Sequence, residues 1–216
     1  MIPLLHDFGG STVVVFGGGP VGARKARRFA REARVVVVSP AFADAEFGDS
    51  ERVRVAPTPD DVPEWFERID PALAVAATSD EAVNDAVTRA ARERGTLLNR
   101  ADRSGGGDKH LDVTVPATVR DDPVLLAVAT GGRSPALSRY LRERFENEFA
   151  GAGAMATLTG RLREQLREDT PPEARRAAIR AVVRSERVWK ALGDGTPNPA
   201  QEAQSVISDV LSEEKR

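Results

Sequence analysis

The chain contains no cysteine. Disulfides, thiolate metal sites, iron-sulfur clusters and thiol nucleophiles are therefore excluded, and His6 and His110 are the only good nitrogen ligands left for a transition metal. No resident metal site is expected. Long hydrophobic runs are missing as well. No stretch approaches the roughly 18 to 20 apolar residues of a membrane span, and the amino terminus lacks a basic region followed by an apolar run. The expected compartment is the cytoplasm. A dominant charge of one sign is also lacking: 31 basic and 33 acidic residues leave a net charge of -2. No overall positive field draws the chain to nucleic acid or to an anionic membrane. Internal repeats and low-complexity tracts are absent too.

What remains is a globular chain of 216 residues, 41% hydrophobic, enough for one ordinary domain and a smaller one. Its first hundred residues alternate short β-rich runs with helical segments. "TVVVF" (12–16), "VVVV" (35–38), "LAVAA" (73–77) and "TLL" (96–98) have the length and composition of buried strands, with "VRV" (53–55) a weaker one. Between them, "GARKARRFAREA" and "SDEAVNDAVTRAARER" read as helices, the second with Ala82, Val83, Ala86, Val87, Ala90 and Ala91 on one face. Strand and helix in alternation predict an α/β fold with a Rossmann-like parallel sheet.

Directly after the first strand and before the first helix stand Gly17, Gly18, Gly19, Pro20, Val21 and Gly22, in the spacing G-x-G-x-x-G. In a dinucleotide site Gly17 permits the tight turn, Gly19 lets a pyrophosphate approach the backbone, and Gly22 lets the helix pack on the strand. A glycine turn without a ligand has the same spacing. The flanking β-α-β pattern favours NAD or NADP. The second strand ends in Ser39 rather than the acidic residue that usually holds the adenosine ribose, so preference between the two cofactors is weakly specified. Arg24 and Lys25 are either anion-assisting or solvated charges.

Ligands of open α/β sheets collect at the carboxyl ends of strands. That rim includes Thr78 and Ser79, with Thr78 expected to face the cofactor, although Ser79 or Asp80 also suits a helix cap. The fifth strand leads into "LLNRADRSGGGDKHLD", making Asn99, Asp102, Lys109 and His110 a candidate constellation. A carboxylate there suits a general base or a substrate orienter, because hydride removal is coupled to proton loss. The same residues fit a capped turn and a loop.

After residue 112, "DVTVPATV" and "PVLLAVAT" predict two adjoining strands, with Pro116 confining the first to an edge or a bulge. In "GGRSPALSRYLRERFENEFA", Ser134 is the expected N-cap and Pro135 the first helical residue, with Leu137, Tyr140, Leu141, Phe145 and Phe149 along an apolar face. Gly131, Gly132 and Arg133 just before it form either a carboxylate site or an ordinary turn. The rest reads as helical. Met155, Leu158, Leu162 and Leu166 share one face, Thr170-Pro171-Pro172-Glu173 fits a capping box, and an amphipathic segment covers 200–213.

"MIPLL", "VVVFGGGPVGARKA", "AVAATSDEAVN", "LLNRAD" and "GGRSPALSRYLRE", spread over about residues 1–150, resemble the precorrin-2 dehydrogenase family, whose members include the amino-terminal module of siroheme synthase. The resemblance implies NAD-dependent oxidation of precorrin-2, a polycarboxylate macrocycle, to sirohydrochlorin. It also implies a homodimer and, in some members, insertion of Fe2+ or Co2+. On this resemblance Asp102 is the catalytic aspartate, and the turn Gly131-Gly132-Arg133-Ser134 receives a substrate carboxylate. The chain then divides into a dinucleotide-binding domain (1–111), a small α+β dimerisation and substrate segment (112–150) and a helical region (151–216). A departure is "RSGGGDKHLD" after the aspartate, longer than the family's usual proline-containing turn. It places Lys109 and His110 near the site, where a hydrogen bond from His110 to a substrate carboxylate is favoured over metal ligation. No methyltransferase region is expected after residue 216. A regulatory NAD(P)-binding module without catalysis, and a chelatase with little redox activity, are the alternatives.

Overall fold

The computed structural model describes residues 2–101, 111–194 and 198–213, which form two compact units, 1–115 and 116–216. In the first unit, β1 (Thr12–Phe16), β2 (Arg34–Ser39), β3 (Ser50–Arg54), β4 (Leu73–Ala76) and β5 (Leu97–Arg100) make one parallel sheet in the order β3-β2-β1-β4-β5. The pleat of the strands sorts the valines between two layers. Val13, Val15, Val35 and Val37 face α1 (Pro20–Phe29), packing on Ala23, Ala26 and Phe29. Val14, Phe16, Val36 and Val38 face the other way, onto α2 (Val62–Ile69) and α3 (Glu81–Arg94). A strand buried on both faces has no polar side to show, which is why these runs carry no alternation. The edge strand β3 is instead charged, with Glu51, Arg52 and Arg54 exposed, a composition that discourages strand addition.

The sequence reading assigns no element between Val55 and Leu73, and the structure places α2 there. Its apolar residues Val62, Trp65, Phe66 and Ile69 have helical spacing, and Phe66 stacks on Phe16 with ring centroids 6.3 Å apart. In α3, Ala82 is exposed and the buried face carries Asn84 in addition to the expected residues.

The run 112–119 is not one strand. Asp112 bridges to Leu98, and Val113 and Val115 pack on the α1 side of the sheet. A new strand begins only after Pro116, whose missing N–H cannot continue a ladder. In the second unit β6 (Ala117–Asp121) and β7 (Val124–Val128) form an antiparallel hairpin, joined through Asp122 and a cis Pro123. The helix α4 (Pro135–Glu148) follows, capped by Ser134 as its sequence predicts: the Oγ accepts from the Leu137 amide at 3.3 Å. The expected apolar face of α4 exists but is not buried in the chain. Leu137, Tyr140 and Phe149 are exposed, and no residue of the helix is fully covered.

Helices α5 (Ala152–Gln165), α6 (Pro172–Arg184), α7 (Glu186–Asp194) and α8 (Pro199–Glu213) close around Met155, Leu162, Ala178, Val182, Val188, Ala203 and Ile207. The capping box at Thr170 does not form. Pro171 holds the cap position with extended ψ and Pro172 the first helical position, so Thr170 lies one residue too early to reach the free amides.

Candidate dinucleotide site

The rim formed by the carboxyl ends of β1, β2, β4 and β5 carries the glycine turn. Gly17 has φ +117, and its amide donates to Val38 O at 3.0 Å. A Cβ at Gly17 would collide with the carbonyl oxygen of Ala77, and one at Gly22 with that of Gly17. These two glycines are thus required by packing alone. Gly18 is pressed against the segment after β2. A Cβ there would collide with Ala41 O and come within 2.8 Å of the Phe42 ring, while Gly18 O accepts from the Ala43 amide at 2.8 Å. Gly19 differs from all three, because a Cβ at that position would meet nothing within 4 Å. It is the N-cap of α1, has no side chain to satisfy the helix amides, and is followed by Pro20 at the first position. Helix geometry leaves the Val21 and Gly22 amides without carbonyl partners in the helix, at its positive end. Pro20 and Val21 are exposed at this start. The space at Gly19 and the free amides fit a pyrophosphate, the group that a dinucleotide would place there.

Other residues expected from sequence are held on the same rim. Ser39 is buried, and its hydroxyl donates to Ala41 O at 2.8 Å, which leaves the oxygen lone pairs as its remaining hydrogen-bonding capacity. Thr78 is part of a clamp that sequence reasoning missed. Asn84 Oδ1 lies 2.8 Å from Thr78 Oγ1 and accepts from the Thr78 amide at 3.2 Å, and Asn84 Nδ2 donates to Thr78 O at 3.0 Å. Asp80 rather than Ser79 caps α3, accepting from the Ala82 and Val83 amides, and Ser79 is exposed. The signal for Asn84 was a polar residue within a helix's apolar stripe. Arg100 ties β5 to the same helix, reaching Asp85 at 2.7 Å, Thr88 at 2.8 Å and Asn84 O at 3.2 Å. Asn99 donates through Nδ2 to Val113 O at 2.7 Å, whereas its Oδ1 is buried without a partner among the described residues. A buried acceptor left open at the rim is a place for a ligand N–H or O–H.

Asp102, Lys109 and His110 lie outside the described residues. Gly131, Gly132, Arg133 and Ser134 belong to the second unit. Both glycines have positive φ, Arg133 is exposed, and Thr130 Oγ1 fastens the turn through Ser134 and Ser138. Lys25 on α1 is half-buried, and burial, then Arg28 and Arg24, lower its pKa to about 8. Among the described residues no cluster of three His, Asp or Glu is placed to hold a metal, and no helix is long and apolar enough to cross a membrane.

Residues 4–117 match a protein-family model described as "Putative NAD(P)-binding". A precorrin-2 dehydrogenase of Methanosarcina barkeri is 32% identical in an alignment covering 100% of this chain and 97% of that protein. The chain belongs to the precorrin-2 dehydrogenase family. A siroheme synthase of Azotobacter vinelandii, within the same family, is 36% identical over 79% of this chain, which spans only 36% of that longer protein. The solved structure titled "SirC, precorrin-2 dehydrogenase" has the same fold, with a TM-score of 0.68, covering 97% of this chain and 100% of that one at 20% identity. The family's NAD(P)-binding portion thus contains all of the rim built around Gly19.

Proposed function

We propose that this protein oxidises precorrin-2 to sirohydrochlorin with a nicotinamide dinucleotide, in the cytoplasm, as a step of siroheme or related tetrapyrrole synthesis. The observation that carries this reading is the end-to-end match to the Methanosarcina barkeri precorrin-2 dehydrogenase. The open cradle at Gly19 supports the cofactor half of it. When bound, the dinucleotide supplies the hydride acceptor. The chain supplies the rest. Gly18, Gly19, Val21 and Gly22 hold the pyrophosphate, Ser39 lies toward the adenosine ribose, and Thr78, Ser79 and Asn99 border the nicotinamide half. Asp102, two residues beyond the end of β5, takes the proton released with the hydride or orients the substrate amine that loses it. Lys109 and His110 on the following segment bind substrate carboxylates, as do Arg133 and the capped turn Gly131-Gly132-Arg133-Ser134 through charge and free amides.

The working protein in this reading is a homodimer, its three segments being 1–111, 112–150 and 151–216. The uncovered face of α4 and the half-buried hairpin β6-β7 support an interface in the middle segment. Fe2+ or Co2+, if inserted, is a substrate whose ligands come mainly from the tetrapyrrole.

Anaerobic absorbance spectra of the purified protein with precorrin-2 and dinucleotide test the proposal. Cofactor-dependent appearance of the sirohydrochlorin spectrum is expected, and Asp102→Ala should slow it by about 10²–10⁴-fold with dinucleotide affinity unchanged. Dinucleotide binding without any spectral change would favour the regulatory module. Added ferrous or cobaltous ion then reads chelation against a protein-free control.

A further inference from the structure

The helix that follows the glycine turn carries a lysine that the fold leaves unsatisfied. Lys25 is half-buried, and among the described residues no acceptor pairs with its ammonium. The charged groups that act on it are Arg28, one turn further along α1, and Arg24 beside it, both of its own sign. An ammonium drawn out of water without an acceptor is unfavourable, and neighbouring like charges add to the cost. An apolar side chain of similar length would fill the same place without it.

The packing of α1 decides which way this residue faces. A Cβ at Gly48, between β2 and β3, would come within 3.1 Å of Arg27 Cα and of the Ala30 side chain, so that flank of the helix lies against the segment after β2. Phe29 stands on the other flank, edge-on to Phe8 with ring centroids 5.5 Å apart. At roughly 3.6 residues per turn, Lys25 is about 40° from Phe29 around the helix axis and about 160° from Arg27. It therefore belongs to the flank turned away from β2 and β3 and toward β4, whose Leu73 and Val75 share a layer with Phe8 and Phe29. In this sheet order the adenosine lies on the β2 side of the rim and the nicotinamide on the β4 side. Helical side chains lean toward the amino terminus, so Lys25 covers the turn that starts at the exposed Val21, beside the pyrophosphate cradle.

We propose that Lys25 binds a carboxylate of the tetrapyrrole substrate and so holds one edge of the macrocycle against the nicotinamide half of the rim. The inference rests on the dehydrogenase reading of this site. A polycarboxylate brings the acceptor that the fold withholds, and the pair is a charge-assisted hydrogen bond. The dinucleotide's pyrophosphate is the other anion within the rim, but it sits at the end of the helix axis, where the free amides already receive it, and not on the flank of Lys25. A lysine kept at a cost to folding is then explained by what it binds.

Anaerobic absorbance titration of the full chain with sirohydrochlorin, the product that retains the substrate's carboxylates, and calorimetric titration with NAD+ test this without turnover. Lys25→Met should melt no lower than the native chain at pH 7, bind NAD+ within about twofold of it, and bind sirohydrochlorin about tenfold more weakly. Raised salt should weaken sirohydrochlorin binding more in the native chain than in Lys25→Met. Arg27→Met removes the same charge from the opposite flank and should leave both affinities within about twofold. Native-like sirohydrochlorin binding by Lys25→Met, or an equal loss in Arg27→Met, would overturn the proposal. Loss of NAD+ affinity with tetrapyrrole affinity unchanged would overturn it in favour of the pyrophosphate. If the native chain binds NAD+ and no tetrapyrrole, the dehydrogenase reading falls first and the carboxylate site falls with it.

Discussion

The sheet of the first unit and the hairpin-helix segment that opens the second are built from similar apolar material, yet they bury it to different degrees. Val13, Val14, Val15, Phe16 and Val37 are fully inaccessible, because helices cover both faces of the parallel sheet. In the hairpin Val119, Leu125 and Leu126 are only half-buried, and α4 has no fully covered residue. A single chain completes the first structure and leaves the second with apolar surface in water. Such surface is ordinarily retained because something else covers it. The two regions should therefore respond differently to substitution.

The largest effect is expected where burial is complete. Phe66→Ala removes a ring stacked on Phe16 and should cost about 3–5 kcal/mol in unfolding free energy, measured by denaturant titration. A cost under about 1 kcal/mol would mean the sheet's second layer is far looser than its packing implies. Asn84→Ala comes next. It leaves the Thr78 amide and carbonyl without their side-chain partner, at about 1–3 kcal/mol. The same change should weaken dinucleotide binding, because Thr78 would no longer be held at the rim.

Lys25 tests the first unit with the opposite sign. Its amine has a pKa of about 8 in the folded chain, below the ordinary 10.5, so the folded state disfavours the charged form. That penalty is fully present below about pH 8 and is relieved as pH rises from 8 toward 10.5. Lys25→Met should stabilise the protein at pH 7 by about 1–2 kcal/mol, and the gain over the native chain should vanish across that window. A pH-independent gain would assign the effect to packing rather than charge.

The smallest effect on protomer unfolding, and the sharpest contrast between the regions, belongs to α4. Replacing Leu137 and Tyr140 together by Arg should change protomer stability by less than about 0.5 kcal/mol, since both are exposed. Sedimentation velocity should nevertheless show the proposed dimer replaced by monomer. A native chain that is monomeric at tens of micromolar would remove the contrast altogether.

The local signals that proved readable are those written in contiguous residues. Valine runs, the glycine spacing between strand and helix, and the Ser134-Pro135 helix start each act over a few positions, where backbone sterics and hydrogen-bond geometry decide the outcome. The capping box at Thr170 failed for an equally local reason, two prolines occupying the positions it needed. The run 112–119 reads as continuous in sequence because nothing in "DVTV" tells that Val113 and Val115 pack on a sheet built from residues far upstream. Asn84 escaped notice for the same cause: its partner, Thr78, lies in the turn before its own helix, and only the folded turn brings them together.

The order of residues alone is enough to read a parallel α/β sheet, a phosphate-binding turn after its first strand and a capped helix near residue 134. Each of these is encoded by periodicity or by a backbone requirement within a few neighbouring residues. Which glycine opens onto free space and which acceptor is left open in the rim depended on the fold. Those facts are distances between residues that are remote along the chain, and packing alone sets them.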